Sequence, residues 1–131
     1  MAENETITGL QSEERLQAEC FQWLWNTKPQ FRGLCWHVPN EGKRNPITGN
    51  RLKAIGLVAG VPDLQFCYCG NTYFFELKTA KGRVSDKQAK IQSMLTEHGF
   101  QVYIIRDFDT FKKLINQIIN SGNNEEYNRR A

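Results

Sequence analysis

The sequence predicts an α/β fold with a mixed sheet, in the order α-β-(loop)-β-β-α-β-α, and three observations carry the prediction. Apolar residues recur at helical spacing near both ends: Leu16, Cys20, Trp23 and Leu24, then Phe111, Leu114, Ile115, Ile118 and Ile119. Two β-rich runs, Leu64 to Cys67 and Thr72 to Leu77, flank Gly70-Asn71 and read as a hairpin. From Thr72 to Ile105 the chain reads strand, capped helix, strand, a unit expected to form a right-handed parallel crossover.

Taken in order, residues up to about Gly9 and from about Ser121 onward are polar ends expected to be loose, around a single domain. Ser12 is a candidate N-cap, followed by acids that suit the positive end of a helix dipole. That helix should stop before Pro29. Leu34 to Val38 reads as a strand. Pro39 to Asn50 is a polar, basic loop carrying Lys43 and Arg44, and Arg51 to Val58 reads as a short helix ended by Gly56 and Gly60. After the hairpin, Ser85 opens a helix whose apolar positions are Ile91, Met94 and Leu95, with Gly99 as its stop. Gln101 to Ile105 is a strand, and the final helix follows.

Composition excludes several classes. With 131 residues and 40% hydrophobic content the chain can bury a core without staples. The first residues are acidic and polar, unlike a secretory leader, and no run approaches a membrane span, so a cytoplasmic protein is expected. Cys67 and Cys69 form C-x-C rather than the C-x-x-C of most zinc pairs, so the four cysteines read as reduced, packed thiols. Net charge is +3, but residues 1–31 carry −3 and residues 32–90 carry +6, which points to a basic face and a polyanionic partner, or to an ordinary mixed surface.

The informative feature is charge inside short apolar strands. Glu76 and Lys78 share one face of their strand, with Leu77 on the other. With the turn at Gly70-Asn71, Lys78 would face Asp63, and Asp63 and Glu76 would be diagonal neighbours roughly 7–8 Å apart. Two buried carboxylates repel, so one protonates or a cation lies between them: Lys78, or a divalent ion such as Mg²⁺. A metal there would bind a scissile phosphate, with the lysine orienting the attacking water. An Asp-Lys cross-strand ion pair is the plain alternative.

The pattern Gly60-Val61-Pro62-Asp63-Leu64, then Phe75-Glu76-Leu77-Lys78-Thr79, Gly82 and Ser85-Asp86-Lys87-Gln88 resembles the VRR-NUC domain of the PD-(D/E)XK nuclease superfamily. The resemblance runs from about Glu13 to Ile119. It implies a restriction-endonuclease-like core, α-β-β-β-α-β-α with a mixed central sheet flanked by helices, and a metal-dependent DNA phosphodiesterase. Asp63 and Glu76 would hold Mg²⁺ or Mn²⁺, with the backbone carbonyl of Leu77 as a further ligand, and Lys78 would position water and stabilise phosphate charge. A glutamate of the first helix would complete the site. Of Glu13, Glu14 and Glu19, Glu13 fits both the core-facing stripe and the family's E-x-x-Φ-Q pattern with Leu16 and Gln17, while a solvated helix start explains all three.

Ser85 and Gln88 form a capping box on their own account, and the resemblance implies that Gln88 also lies near the site, its side chain steadying Lys78 or a phosphate. Lys43, Arg44, Arg51 and Lys53 in one segment, and Lys81, Arg83, Lys87 and Lys90 in another, would grip phosphates without base-specific readout. His37 reads as a strand residue. Trp23, Trp25, Phe31 and Trp36 read mainly as core, with an interface as the alternative. By resemblance to stand-alone family members, the expected activity is that of a Holliday-junction resolvase working as a homodimer on four-way DNA. A flap-cutting or restriction-like nuclease, or a non-catalytic DNA-binding module, are the alternatives.

Overall fold

The computed structural model describes residues 12–39 and 46–121. The expected loose ends and the basic residues Lys43 and Arg44 lie outside the described residues. Helix α1 spans Ser12–Thr27 and ends before a short 3₁₀ turn at Pro29–Phe31. Strand β1 (Cys35–His37), helix α2 (Pro46–Ala54), the hairpin strands β2 (Leu64–Tyr68) and β3 (Asn71–Leu77), helix α3 (Asp86–Glu97), strand β4 (Gln101–Ile105) and helix α4 (Phe108–Ser121) follow. The sheet order is β1-β2-β3-β4: the first two pairings are antiparallel and β3–β4 is parallel. It is the mixed sheet expected, with α3 as the crossover.

Alternation along the strands sorts the residues into two faces. Cys35, Leu64, Phe66, Phe75, Leu77 and Ile105 are buried on one face, where Cys20 and Leu24 of α1 and Phe111, Ile115 and Ile118 of α4 cover them. Trp23 fastens α1 to α4 through edge-to-face contacts with Phe108 and Phe111 at 6.3 and 6.2 Å. Phe31 packs edge-on against Phe66 and Tyr68. Trp25 and Trp36 do not join this core and remain 38% and 41% exposed. Cys20 and Cys35 are packed as apolar groups: burial holds both thiols neutral, pushing Cys35 up to about 12.

Two expectations need correction. The hairpin turns at Cys69-Gly70, one residue earlier than expected, with Tyr68 paired to Asn71 and both turn residues at positive φ (48° and 80°). Asn71 is therefore the first residue of β3, and the register shifts by two, so Leu64 faces Phe75. A shift of two keeps every side chain on its face, but it places Asp63 across from Glu76 rather than Lys78. The helix expected at Arg51 to Val58 lies earlier, at Pro46–Ala54, since a proline suits a first helical turn. Helix α3, opened by Ser85 as expected, buries none of its residues, and Met94 is 49% exposed.

Candidate functional site

Asp63 immediately precedes β2, Glu76 is the penultimate residue of β3, and Lys78 is the first residue beyond it. All three therefore stand at one rim of the sheet. The backbone carbonyl of Asp63 accepts from Val38 N at 2.9 Å and lies 2.8 Å from His37 Nδ1, which ties it to β1. Its carboxylate Oδ2 accepts from the Leu77 amide at 2.8 Å. Leu77 thus buries its side chain in the core while its N–H holds Asp63. Upstream, Gly60 has φ +91°, and a Cβ there would lie 2.6 Å from the carbonyl oxygen of Lys87. Only glycine lets the Gly60-Val61-Pro62 segment run against the first turn of α3.

Glu76 is 1% exposed. Its Oε2 accepts from Gln88 Nε2 at 2.9 Å and lies 3.7 Å from Lys78 Nζ, itself nearly buried. Its Oε1 is buried and has no donor among the described residues. Burial first, then the adjacent Asp63 carboxylate, push the Glu76 carboxyl up to about 8, against the opposing pull of Lys78. Gln88 does two jobs. Its Oε1 accepts from Ser85 N at 2.9 Å and its backbone N–H donates to Ser85 Oγ at 3.2 Å, completing the capping box, while Nε2 reaches Glu76 rather than the expected Lys78. The cap of α3 and the site are therefore one hydrogen-bonded unit.

Glu13, in the first turn of α1, brings a carboxylate oxygen to the same point. Oxygens of Glu13, Asp63 and Glu76 lie within 4.8 Å of one another. Glu14 instead lines a cavity between α1 and β1. Three carboxylates so close, one with a buried orphan oxygen, need positive charge or protons to coexist. An all-oxygen donor set of this kind suits a hard divalent cation such as Mg²⁺ or Mn²⁺, so these residues fit one.

Arg51 and Lys53 lie exposed on α2, and Lys81, Arg83, Lys87 and Lys90 are exposed on the loop before α3 and on its first turns. Sequence reading overlooked Arg106. Its Nη1 donates to the carbonyls of Thr79 and Gly82 at 2.8 and 2.7 Å, with Ala80 at 3.4 Å, and so anchors the loop that follows Lys78. The signal was available: Arg106 directly follows a parallel strand, at the carboxyl end where α/β sheets build sites. The buried amide of Gln22 was also overlooked.

The model of the VRR-NUC domain family matches residues 11–108. The chain belongs to the VRR-NUC family. A solved structure titled "VRR_NUC domain protein" is similar at TM-score 0.67 and 20% identity, covering 84% of this chain and 89% of that one. At that identity the likeness speaks for the fold, which agrees with a PD-(D/E)XK core. No curated protein sequence matches. Membership gives this VRR-NUC protein a nuclease-type, DNA-processing class of function. Among the described residues, no helix is long and apolar enough to cross a membrane.

Proposed function

We propose that this protein is a Mg²⁺- or Mn²⁺-dependent, structure-specific DNA endonuclease, acting as a homodimer on four-way junctions. The observation that carries the reading is the convergence of Glu13, Asp63 and Glu76 oxygens within 4.8 Å, with Lys78 Nζ 3.7 Å from Glu76 Oε2. Glu13, Asp63 and Glu76 would hold the cation, with the Leu77 carbonyl as a further oxygen. The ion supplies Lewis-acid polarisation of the phosphate and lowers the pKa of a bound water.

The chain's own residues do the rest. Lys78 orients the attacking water and offsets charge on the phosphate oxygens. Gln88, fixed by its cap to α3, steadies Glu76 through Oε2 and leaves Oε1 without a donor among the described residues. The Leu77 amide keeps Asp63 from swinging away. Arg51, Lys53, Lys81, Arg83 and Lys87, together with Lys43 and Arg44, grip flanking phosphates, which fixes position without reading bases. A four-way junction has two-fold symmetry, and a one-domain enzyme meets it by pairing two copies.

The test is a cleavage assay on four-way junctions, 5′ and 3′ flaps and plain duplex, with Mg²⁺, Mn²⁺ or excess chelator. Paired cuts in the junction that need metal are expected. Undiminished cleavage in chelator sinks the metal-dependent reading. Preferential flap cutting replaces the resolvase reading with a flap nuclease, and binding without cutting on every DNA leaves a DNA-binding module.

A further inference from the structure

Helix α2 is the element that the core does not claim. None of its described side chains is buried, and three large aliphatics on it and just after it stand in water: Ile47 is 75%, Ile55 81% and Val58 49% exposed. Its local structure is nevertheless settled by its own residues. Pro46 opens it. At the other end Gly56, at φ +110°, donates its N–H to the Lys53 carbonyl at 3.1 Å, and the Leu57 N–H donates to the Leu52 carbonyl at 2.8 Å. That is the paired hydrogen bonding of a Schellman cap, and the two positions such a cap pairs by apolar contact are Leu52 and Leu57, both half-buried. Folding therefore accounts for Leu52, Gly56 and Leu57. It does not account for Ile47, Ile55 and Val58.

Single exposed aliphatics are ordinary, but these come with a charge pattern. From Pro46 to Pro62 the chain carries Arg51 and Lys53 and no acid. Ile47, Arg51 and Ile55 follow at four-residue steps and form one stripe, the Ile55 N–H still donating to the Arg51 carbonyl at 3.2 Å. A cation between two solvent-facing aliphatics complements a partner that is anionic outside and apolar within. A base stack between phosphate backbones has that chemistry. The segment is also tied to the acidic cluster. Gly60 runs against the Lys87 carbonyl in the first turn of α3, three residues before Asp63. Val58 is five residues from Asp63, which leaves at most about 18 Å between them, or about five base-pair steps.

We propose that α2 is an apolar wedge for branched DNA: Ile47 and Ile55 enter the base stack at a branch point while Arg51 contacts the adjoining phosphate. This rests on the nuclease reading of the acidic cluster and adds to it a source of substrate preference. Entering continuous duplex costs the stacking of a base step, whereas at a junction or flap the stack is already interrupted. The wedge therefore favours branched over plain DNA without reading its sequence. Contacts to phosphate alone do not give that preference.

The experiment places 2-aminopurine, a base that brightens when unstacked, at one position at a time around the branch of a four-way junction. Protein is titrated in chelator, so that the DNA stays whole. Wild type should brighten positions at the branch and none in plain duplex. The double variant Ile47→Ser, Ile55→Ser changes two exposed positions at similar helix propensity; melting curves and sedimentation accompany it. It should lose the brightening and cut the preference for junction over duplex by roughly tenfold or more, the worth of burying one such side chain, with the duplex Kd unchanged. Arg51→Ala should weaken junction and duplex alike and lower the salt slope of both by about one. If no DNA binds, the nuclease reading falls and the wedge with it. If junction binds but no branch position brightens, or the serine variant keeps the brightening, the wedge alone is overturned. If the serine variant instead converts a dimer to a monomer, the stripe belongs to a subunit interface, which also overturns the wedge.

Discussion

Glu76 is the residue where folding and chemistry conflict most directly. Its carboxyl is pushed up to about 8 in the folded protein, against an ordinary 4.5. The folded state therefore binds more protons than the unfolded chain between those values. The stabilising contribution is complete below about pH 4.5 and is lost as pH rises through about 8. In chelator, wild type should lose stability relative to Glu76→Gln between pH 5 and pH 8, on the order of a few kcal/mol. Thermal melts of the two proteins at both pH values check this, and parallel curves would mean that Glu76 is ionised throughout and balanced by Lys78. Lys78→Ala and Asp63→Asn should abolish cleavage yet bind junction DNA with near wild-type Kd, because the gripping cations lie elsewhere. Loss of affinity along with activity in a gel-shift titration would end that separation of roles. Gly60→Ala places a Cβ 2.6 Å from the Lys87 carbonyl at φ +91°. A loss of about 1–3 kcal/mol from the backbone conformation alone is expected in urea unfolding.

At the scale of elements, the loop from Thr79 to Gly82 hangs on the Arg106 guanidinium, which follows β4. Arg106→Ala should leave the helix content of the circular dichroism spectrum unchanged while lowering kcat at least tenfold, since the loop continues directly from Lys78 and small misplacements of catalytic groups are costly. Arg106→Lys should rescue little, because one ammonium cannot reproduce a planar fork across several carbonyls. Much of this level was legible in the sequence. The periodicity of Phe111, Ile115 and Ile118, the Ser85/Gln88 box and the Gly99 stop each carry their signal within a few residues. The turn was misplaced because Cys69 adopts a positive φ that its residue type does not advertise, and the tight two-residue connection is decided by the strands' twist. The α2 helix was shifted because Pro46 looks like a loop residue and a helix start equally. At the site, Asp63, Glu76 and Lys78 were readable as charges in the wrong surroundings, Glu13 came from the family resemblance and its core-facing spacing, and the structure brings the four together. Arg106 and Gln22 were not, since their partners lie 24–27 residues away or, for Gln22 Oε1, are absent among the described residues.

At the scale of the whole molecule, the proposed two-fold assembly has a kinetic consequence. Mixing excess Glu13→Gln with wild type should form mixed dimers that nick one strand of a junction and seldom resolve it. Nicked junction should accumulate on a denaturing gel; slower resolution with no extra nicked species would mean that the copies act independently. The covering of the sheet is also uneven. One face is sealed by α1 and α4, while α3 lies over the other without burying a residue. Little apolar surface holds α3 down, so its opening free energy should fall well below that of global unfolding. In hydrogen–deuterium exchange without metal, the α3 amides should exchange long before those of α4, at a rate that mild denaturant barely changes. Each such opening carries Gln88 away from Glu76 and breaks the cap-to-site link, while the sealed layer stays intact. The chain thus has an intrinsic breathing mode that takes apart one side of its acidic cluster. A ligand that engages the cluster should silence that mode, and the protection factors of α3 would then report occupancy directly, without any cleavage being observed.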